Sequence, residues 1–255
     1  MLWDASAIKD YAIAGSDGHL GTVNDILFED SDWKIRWLVV DTGYWLHGRN
    51  VLIPVSALGH PDPAKREFAV KLTRLQIRQS PDAEKDLPVS RQAERRLYDY
   101  YGWDPYWTTS YFGGGSIAAP FVPPLFHSGS VPRDPGTVDT SQRDGDPHLR
   151  SVEAVTGYHV HATDGEIGHV EDFLLDDAKW NFRYIKVDTK NWWPGARVLI
   201  SPHSIRSIDV ARKRVGLNVS RKKVRESPPY DPSKTVDGAY DETFLTYYGI
   251  KWVQP

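Results

Sequence analysis

Two histidines, His159 and His161, stand two positions apart in a segment whose residue pattern predicts a β-strand. Side chains of a strand alternate between its faces, so both imidazole rings would lie on one face and could bind a metal ion together. The sequence contains two similar segments, or copies, and Ala12 and Ala14 take the equivalent positions in the first copy. No third ligand follows the two histidines at a matching distance. A zinc site uses at least three protein ligands. We therefore predict no metal site and no cofactor.

Two aspartates could form a pair of carboxylates for general acid–base chemistry. Asp25 and Asp172 occupy equivalent positions in the two copies of the pattern. Hydrogen bonds from the backbone of each copy explain them more simply, and two separate domains would not form one shared site. Cysteine is absent, which excludes a thiolate nucleophile, and the glycine-rich segments lack the lysine of a phosphate-binding loop. These residues predict a protein that is not an enzyme.

Basic residues gather near the end of the second copy. This candidate basic patch consists of Arg212, Lys213, Arg214, Arg221, Lys222, Lys223 and Arg225. Placed on neighbouring strands, such residues could bind a row of phosphates. The whole chain has a net charge of −3, and no aromatic residues for base stacking stand among the basic ones. Lysine and arginine also protect solvent-exposed strand edges, so nucleic-acid binding is the alternative and not the main prediction.

Paired aromatic residues occur in the same predicted loop of both copies. They are Tyr44 and Trp45 in the first copy, and Trp192 and Trp193 in the second. Large rigid rings are common at the centres of protein interfaces. These rings could equally cap their own domain or pack one domain on the other. We treat the four residues as candidates for binding a protein partner.

The sequence repeats itself at an offset of 147 positions, the separation of Asp17 from Asp164. At this offset Val40-Asp41-Thr42 falls on Val187-Asp188-Thr189 without a gap. A match at a fixed offset indicates one structural unit used twice. Two copies are too few for a solenoid, so we expect each copy to be a small domain with its own core.

Strands are the predicted elements within each copy. Asp17 and Gly18 are typical of a hairpin turn, and the segment 20–28 after it is rich in apolar and β-branched residues. Further short strands follow at near-regular spacing, which favours a small antiparallel barrel or sandwich. Segment 90–101 begins with a serine cap and has helical spacing of apolar residues, and segment 241–248 is its counterpart.

These patterns give five predicted segments. They are a first barrel-like domain (1–89), a helix (90–102), a linker rich in proline, glycine and aromatic residues (103–150), a second barrel-like domain (151–229), and a C-terminal helix with a tail (230–255). The aromatic part of the linker could pack over a barrel or dock onto a partner. The predicted fold class is mainly β, with two tandem small antiparallel β-barrels, each followed by a short α-helix.

Composition agrees with a globular protein of two domains. The chain has 255 residues, of which 40% are hydrophobic and 25% charged. No basic and apolar leader of the secretory kind opens the sequence, and no apolar run reaches about 18 residues, the length of a membrane span. We expect a cytoplasmic protein.

The motif Asp-Gly-x-x-Gly-x-Val-x-Asp-x-Leu begins at Asp17 and again at Asp164, and Arg-x-x-x-Val-Asp-Thr follows it both times. This ordered set resembles the PRC-barrel domain over residues 5–81 and 152–228. The family includes the cytoplasmic barrel of the photosynthetic reaction-centre H subunit of purple bacteria, and ribosome maturation factors whose barrel binds a ribosomal protein. The resemblance implies a small β-barrel that docks onto other proteins.

We therefore predict a non-enzymatic docking or assembly module, by resemblance linked to a membrane complex of the reaction-centre type. Its partner would be a protein, and peripheral association at the inner membrane and a homo-oligomer are both compatible with the sequence. The alternative is a factor associated with RNA or the ribosome that uses the basic patch. An enzyme would need a polar cleft that no motif indicates.

Overall fold

The structure is a computed structural model, and it describes residues 1–81, 91–103, 148–189, 196–231 and 236–250. Met1–Gln79 and His148–Pro255 together form one compact unit, and Ser80–Pro147 forms a second. Both copies of the repeat thus belong to the first unit. Most of the predicted linker lies outside the described residues, and the predicted domain boundaries stay a prediction.

The elements fall into two equivalent series. The first copy contains β1 (Leu2–Asp4), α1 (Ala5–Ile8), β2 (Ala12–Gly15), β3 (Gly18–Glu29), β4 (Ile35–Asp41), β5 (Asn50–Pro54), β6 (Leu58–Asp62), β7 (Glu67–Val70) and α2 (Arg74–Gln79). Helix α3 spans Arg91–Tyr101 in the second unit. The second copy contains β8 (Leu149–Ser151), α4 (Val152–Val155), β9 (His159–Ala162), β10 (Gly165–Asp176), β11 (Asn181–Asp188), β12 (Arg197–Ile200), β13 (Ile205–Asp209), β14 (Arg214–Leu217), α5 (Arg221–Arg225) and α6 (Gly238–Tyr248).

Two seven-stranded sheets carry this fold, and their strand orders are the same. The order is β5-β4-β3-β2-β7-β6 in one sheet and β12-β11-β10-β9-β14-β13 in the other. Short 3-10 helices at Gly43–Leu46, Val55–Ala57 and Pro202–Ser204 connect some of the strands. The sheets confirm the mainly β fold class, and α3 and α6 lie where the sequence predicts helices.

The sheets differ from the predicted antiparallel barrels in two respects. The pairs β2–β7 and β9–β14 are parallel, because the last hairpin of each copy returns to the far side of its sheet and lies beside the first long hairpin. Neither sheet is closed, since in the described part of the chain no ladder joins the two end strands. After β5, the 3-10 helix Val55–Ala57 carries the chain to β6 instead of extending the ladder.

The shortest strands are exchanged between the copies. β1 pairs with β10 of the second copy, with Trp3 opposite Leu175. β8 pairs in the same way with β3 of the first copy, with Arg150 opposite Phe28. A three-residue strand contributes few backbone bonds, so it also needs the apolar contacts of the short helix that follows it.

The cores of the two copies are continuous. Phe28 is completely buried, and its ring centroid lies 5.7 Å from that of Phe173 and 5.2 Å from that of Phe182. The backbone N–H of Phe182 donates to the carbonyl of Trp33 at 2.9 Å, and the N–H of Ile35 donates to Trp180 at 2.7 Å. This joint core differs from the expectation of an independent core in each copy.

The second glycine of the repeated motif has a steric reason. A Cβ atom on Gly21 would lie 2.2 Å from the carbonyl oxygen of Asp41, and one on Gly168 would lie 1.9 Å from that of Asp188. Real Cβ atoms do not approach so closely, so only glycine lets these strands pack. The motif therefore encodes the contact between the long strand and its neighbour.

Candidate functional site

The loop that carries Tyr44 and Trp45 is the 3-10 helix Gly43–Leu46 between β4 and β5. Trp45 is half-buried, and its indole N–H donates to the carbonyl of Leu20 at 2.8 Å. The guanidinium of Arg74 lies over the Trp45 ring, 5.0 Å from its centroid. Trp45 thus caps its own sheet, as one of the sequence interpretations holds.

Tyr44, next to it, is fully exposed. The N–H of Gly43 donates to the Asp41 carboxylate at 2.8 Å, and the N–H of Gly48 donates to the Gly43 carbonyl at 2.7 Å. These bonds and the Trp45 anchor fix the loop, so Tyr44 is presented to solvent from an ordered support. Trp192 and Trp193 lie outside the described residues, and their role stays a prediction.

The aspartates at equivalent positions of the two copies form hydrogen bonds with the other copy. Asp25 accepts a hydrogen bond from the Ser151 hydroxyl at 2.5 Å and from the backbone N–H of Glu153 at 3.0 Å. Asp172 accepts from the Ser6 hydroxyl at 2.6 Å. The sequence interpretation places backbone hydrogen bonds to each aspartate within its own copy, and the N–H groups of Ile26 and Phe173 make such bonds. The sequence does not predict the bonds across the copies; they form because the exchanged strands place these serines beside the other sheet.

Both aspartates line a cleft of about 220 Å³ between the copies. Burial raises the pKa of each carboxyl above its usual value, and the hydrogen bonds from Ser151 to Asp25 and from Ser6 to Asp172 oppose that rise. Each carboxylate also accepts the N–H of the residue after it, Ile26 or Phe173. Together these hydrogen bonds connect the two copies at both aspartates.

A double-mutant cycle will measure the coupling free energy between Asp25 and Ser151 across the two copies. We expect Asp25→Ala to cost about 1–3 kcal/mol of unfolding free energy, because the Ser151 hydroxyl and the backbone N–H groups of Ile26 and Glu153 lose their acceptor. Combined with Ser151→Ala, it should show a coupling of about 0.5–3 kcal/mol. As a control, Asp62→Ala combined with Ser151→Ala should be additive, since Asp62 bonds the turn of its own hairpin. Denaturant unfolding gives each free energy. Additivity in the first cycle would show that the Asp25–Ser151 hydrogen bond does not stabilise the contact between the copies.

The two histidines considered as metal ligands lie beside a glutamate. His159 Nδ1 is 2.8 Å from one carboxylate oxygen of Glu166, and His161 Nε2 is 3.9 Å from the other. Glu166 lies opposite His161 on the neighbouring strand β10. Within the described ranges, no group of three or more histidine, cysteine or acidic side chains is arranged to hold a metal ion.

The candidate basic patch is divided into two parts by β14. Arg212 and Lys213 lie at the turn before this strand, Arg214 is its first residue, and Arg221 to Arg225 form α5 after it. The rest of β14 and the residues up to Ser220 separate the two parts along the chain. Arg212 pairs with Asp209 at 2.9 Å, and Lys223 donates to the Tyr247 carbonyl at 2.6 Å. These arginine and lysine contacts serve the fold around them.

The structure also contains a larger groove, which no motif of the sequence indicates. It has a volume of about 820 Å³ and is lined by residues of both copies, among them Trp33, Arg150, Arg183 and Arg206. Its residues come from segments far apart in sequence, so neither spacing nor periodicity brings them together. Only the pairing of the copies places them side by side.

Helix α6 forms part of the wall of this groove through Leu245. The Asp241 carboxylate fixes the helix, because it accepts from the Tyr184 hydroxyl and from the Arg183 guanidinium, both at 2.6 Å. Burial raises the pKa of the Tyr184 phenol, and the neighbouring Asp241 carboxylate adds to that rise. Phe244 is completely buried against Tyr184, so this wall is held by both polar and apolar contacts.

Comparison with known families gives one result. Residues 4–76 match the family model of the PRC-barrel domain. This range contains α1 to β7, so the match confirms the predicted resemblance for the first copy. No curated protein matches the sequence. No helix in the described part of the chain is long and apolar enough to cross a membrane.

Proposed function

We propose that this chain is a non-enzymatic docking or assembly module with two PRC-barrel copies, residues 1–89 and 151–229. The match over residues 4–76 supports the first copy. The identical strand order of the second sheet supports the second copy. By resemblance to the reaction-centre H subunit, the proposed setting is a membrane complex of that type, reached from the cytoplasm by peripheral association.

The observation that carries the docking role is Tyr44. A fully exposed tyrosine on a loop held by Trp45 and by backbone bonds loses little entropy when a partner covers it. Tyrosine combines a large apolar area with a hydroxyl that can bond at the rim of an interface. Trp45 itself serves the fold, so Tyr44 is the residue whose removal tests docking without disturbing the sheet.

A photo-crosslinking amino acid at position 44 tests this proposal in the native cells. We expect it to capture a specific protein, and the same group at Leu75, another exposed apolar position, to capture none or a different set. With the captured protein purified, Tyr44→Ala should weaken binding by about 2 kcal/mol or more, roughly 30-fold, at an unchanged melting temperature. Equal binding by Tyr44→Ala and wild type would contradict the docking role of this loop.

The RNA-associated alternative predicts a different response to salt. Phosphate contacts release counterions, so binding should weaken steeply as salt rises, whereas burial of an apolar ring is screened little. Arg212→Ala and Lys222→Ala are the suitable variants, because both side chains are exposed and Lys223 is needed by the fold. If these two changes abolish binding while Tyr44→Ala does not, the RNA-associated function replaces the docking proposal.

A further inference from the structure

The groove of about 820 Å³ has an excess of unpaired positive charge. Both acidic residues in its lining are ion-paired, Asp30 with Arg150 at 2.8 Å and Asp32 with Arg36 at 2.7 Å. Among the lining cations, Lys179 and Arg206 are exposed, and neither makes a hydrogen bond or ion pair with any residue that the structure describes. An anionic ligand in this groove would therefore meet free cations and no free carboxylate.

One side of the groove is formed by β13, the end strand of its sheet. Residues 205–208 of this strand line the groove, and β14 is its partner in the sheet. Within the described ranges, no second ladder covers its outer edge. A strand edge offers backbone donors and acceptors that an extended peptide can pair with.

Comparison with β6, the equivalent strand of the first copy, shows which backbone N–H of β13 can pair with an added strand. In β6, Pro61 lies opposite Phe68, and in β13, Ile208 lies opposite Val215, 147 positions later in each case. Proline has no N–H to donate to the paired strand. A residue at this register therefore belongs to a pair without hydrogen bonds, and its backbone groups point away from the paired strand. We infer that the Ile208 N–H points to the open edge. The first copy blocks its edge with proline, and the second copy leaves the edge able to pair.

Apolar side chains complete the surface. Ile205 and Ile208 are half-buried along β13, and Leu245 and Ile250 lie on the same lining. A ligand that alternates apolar and acidic side chains can place one set on these residues and the other on Lys179 and Arg206. A nucleic acid could use the cations but could not continue a β-ladder.

We propose that this groove binds an extended acidic segment of a partner protein, which pairs as an added strand with the edge of β13. Its carboxylates contact Arg206 and Lys179, and its backbone accepts the Ile208 N–H. The inference rests on the proposed docking function for the kind of ligand, and it uses a surface other than the Tyr44 loop. The partner segment must therefore be extended and must alternate acidic with apolar side chains.

A defined peptide tests the proposal directly. The probe is a fluorescein-labelled peptide of about ten residues that alternates glutamate with valine, followed by fluorescence anisotropy. We expect saturable binding to the full chain, and binding at least about tenfold weaker after Arg206→Glu with Lys179→Glu, because two favourable charge pairs become repulsive. Lys71→Glu is the matched control, since Lys71 is exposed and lies outside the groove lining. The same peptide with lysine in place of glutamate should not bind.

The strand pairing has its own two tests. Ile208→Pro gives β13 the residue that β6 already carries at this register, and we expect it to lower probe affinity at least about fivefold with the sheet intact. The probe N-methylated at alternate residues should lose as much affinity, and it needs no change in the protein. If Ile208→Pro unfolds the chain, the N-methylated probe decides.

Four results would overturn the proposal. They are no binding of the acidic probe, binding that the two groove charge reversals do not change, equal binding of the N-methylated probe, and equal binding of a single-stranded oligonucleotide of the same charge. The last would identify a site for polyanions in place of a site for a strand. None of these results bears on crosslinking from position 44, so failure here is separable from failure of the docking function itself.

Discussion

Residues 1–81 produced without the rest of the chain are expected not to fold as a stable monomer. The fragment loses β8, whose Leu149 is buried against the first sheet. It also loses the Ser151 hydroxyl that bonds Asp25, and the Phe173 and Phe182 rings that cover Phe28. Small domains have a free energy of unfolding of about 5–15 kcal/mol, and the loss of one large core contact alone costs about 3–5 kcal/mol.

Circular dichroism and sedimentation measure this outcome. We expect the fragment at low concentration to lack a cooperative thermal transition. The matched control replaces residues 82–147 of the full chain with a glycine–serine linker of equal length. Because Met1–Gln79 and His148–Pro255 form one compact unit, the control should keep its fold. A monomeric fragment that melts cooperatively at the temperature of the full chain would contradict the joint core.

Phe28→Ala is expected to cost about 3–5 kcal/mol of unfolding free energy. Phe28 is completely buried, and its ring contacts Trp33 of its own copy and Phe173 and Phe182 of the other. The truncation leaves a cavity where the copies meet, so we expect both copies to melt earlier in one transition. Phe28→Leu is the control, because leucine refills most of the volume and should cost clearly less.

Urea unfolding followed by tryptophan fluorescence and by far-ultraviolet circular dichroism will test the joint response. Coincident curves from the two probes are expected for wild type and for Phe28→Ala. Two separated transitions, with only one of them shifted by Phe28→Ala, would show that the copies have independent cores.

Much of the fold follows from local patterns in the sequence. The turn at Asp17 and Gly18 and the apolar alternation after it give β3, and the fixed offset then gives β10. Helix α6 is encoded by its caps, since Asp237 accepts from the N–H of Tyr240 and Gly249 takes the left-handed conformation with φ 70°. Such signals lie within a few residues of the element that they define.

The exchange of β1 and β8 has no comparable signal. A strand of three residues such as Leu2–Asp4 is too short to show a period, and its partner on β10 is far away in the sequence. The roles of Tyr44 and Trp45 could not be separated either, because a loop pattern does not tell which of two adjacent rings turns inward. The groove depends on both copies at once, so a reading of one copy cannot find it.

The exchange of β1 and β8 within one chain decides whether the stability of the fold depends on protein concentration. A chain with a single copy could make the same contacts only by trading its first strand with a second molecule, as a domain-swapped homodimer. Its stability would then depend on protein concentration. In the present chain the two halves are covalently joined, so each meets its counterpart at an effective concentration of about the millimolar range, set by the connecting segment. The assembly step becomes part of folding one polypeptide.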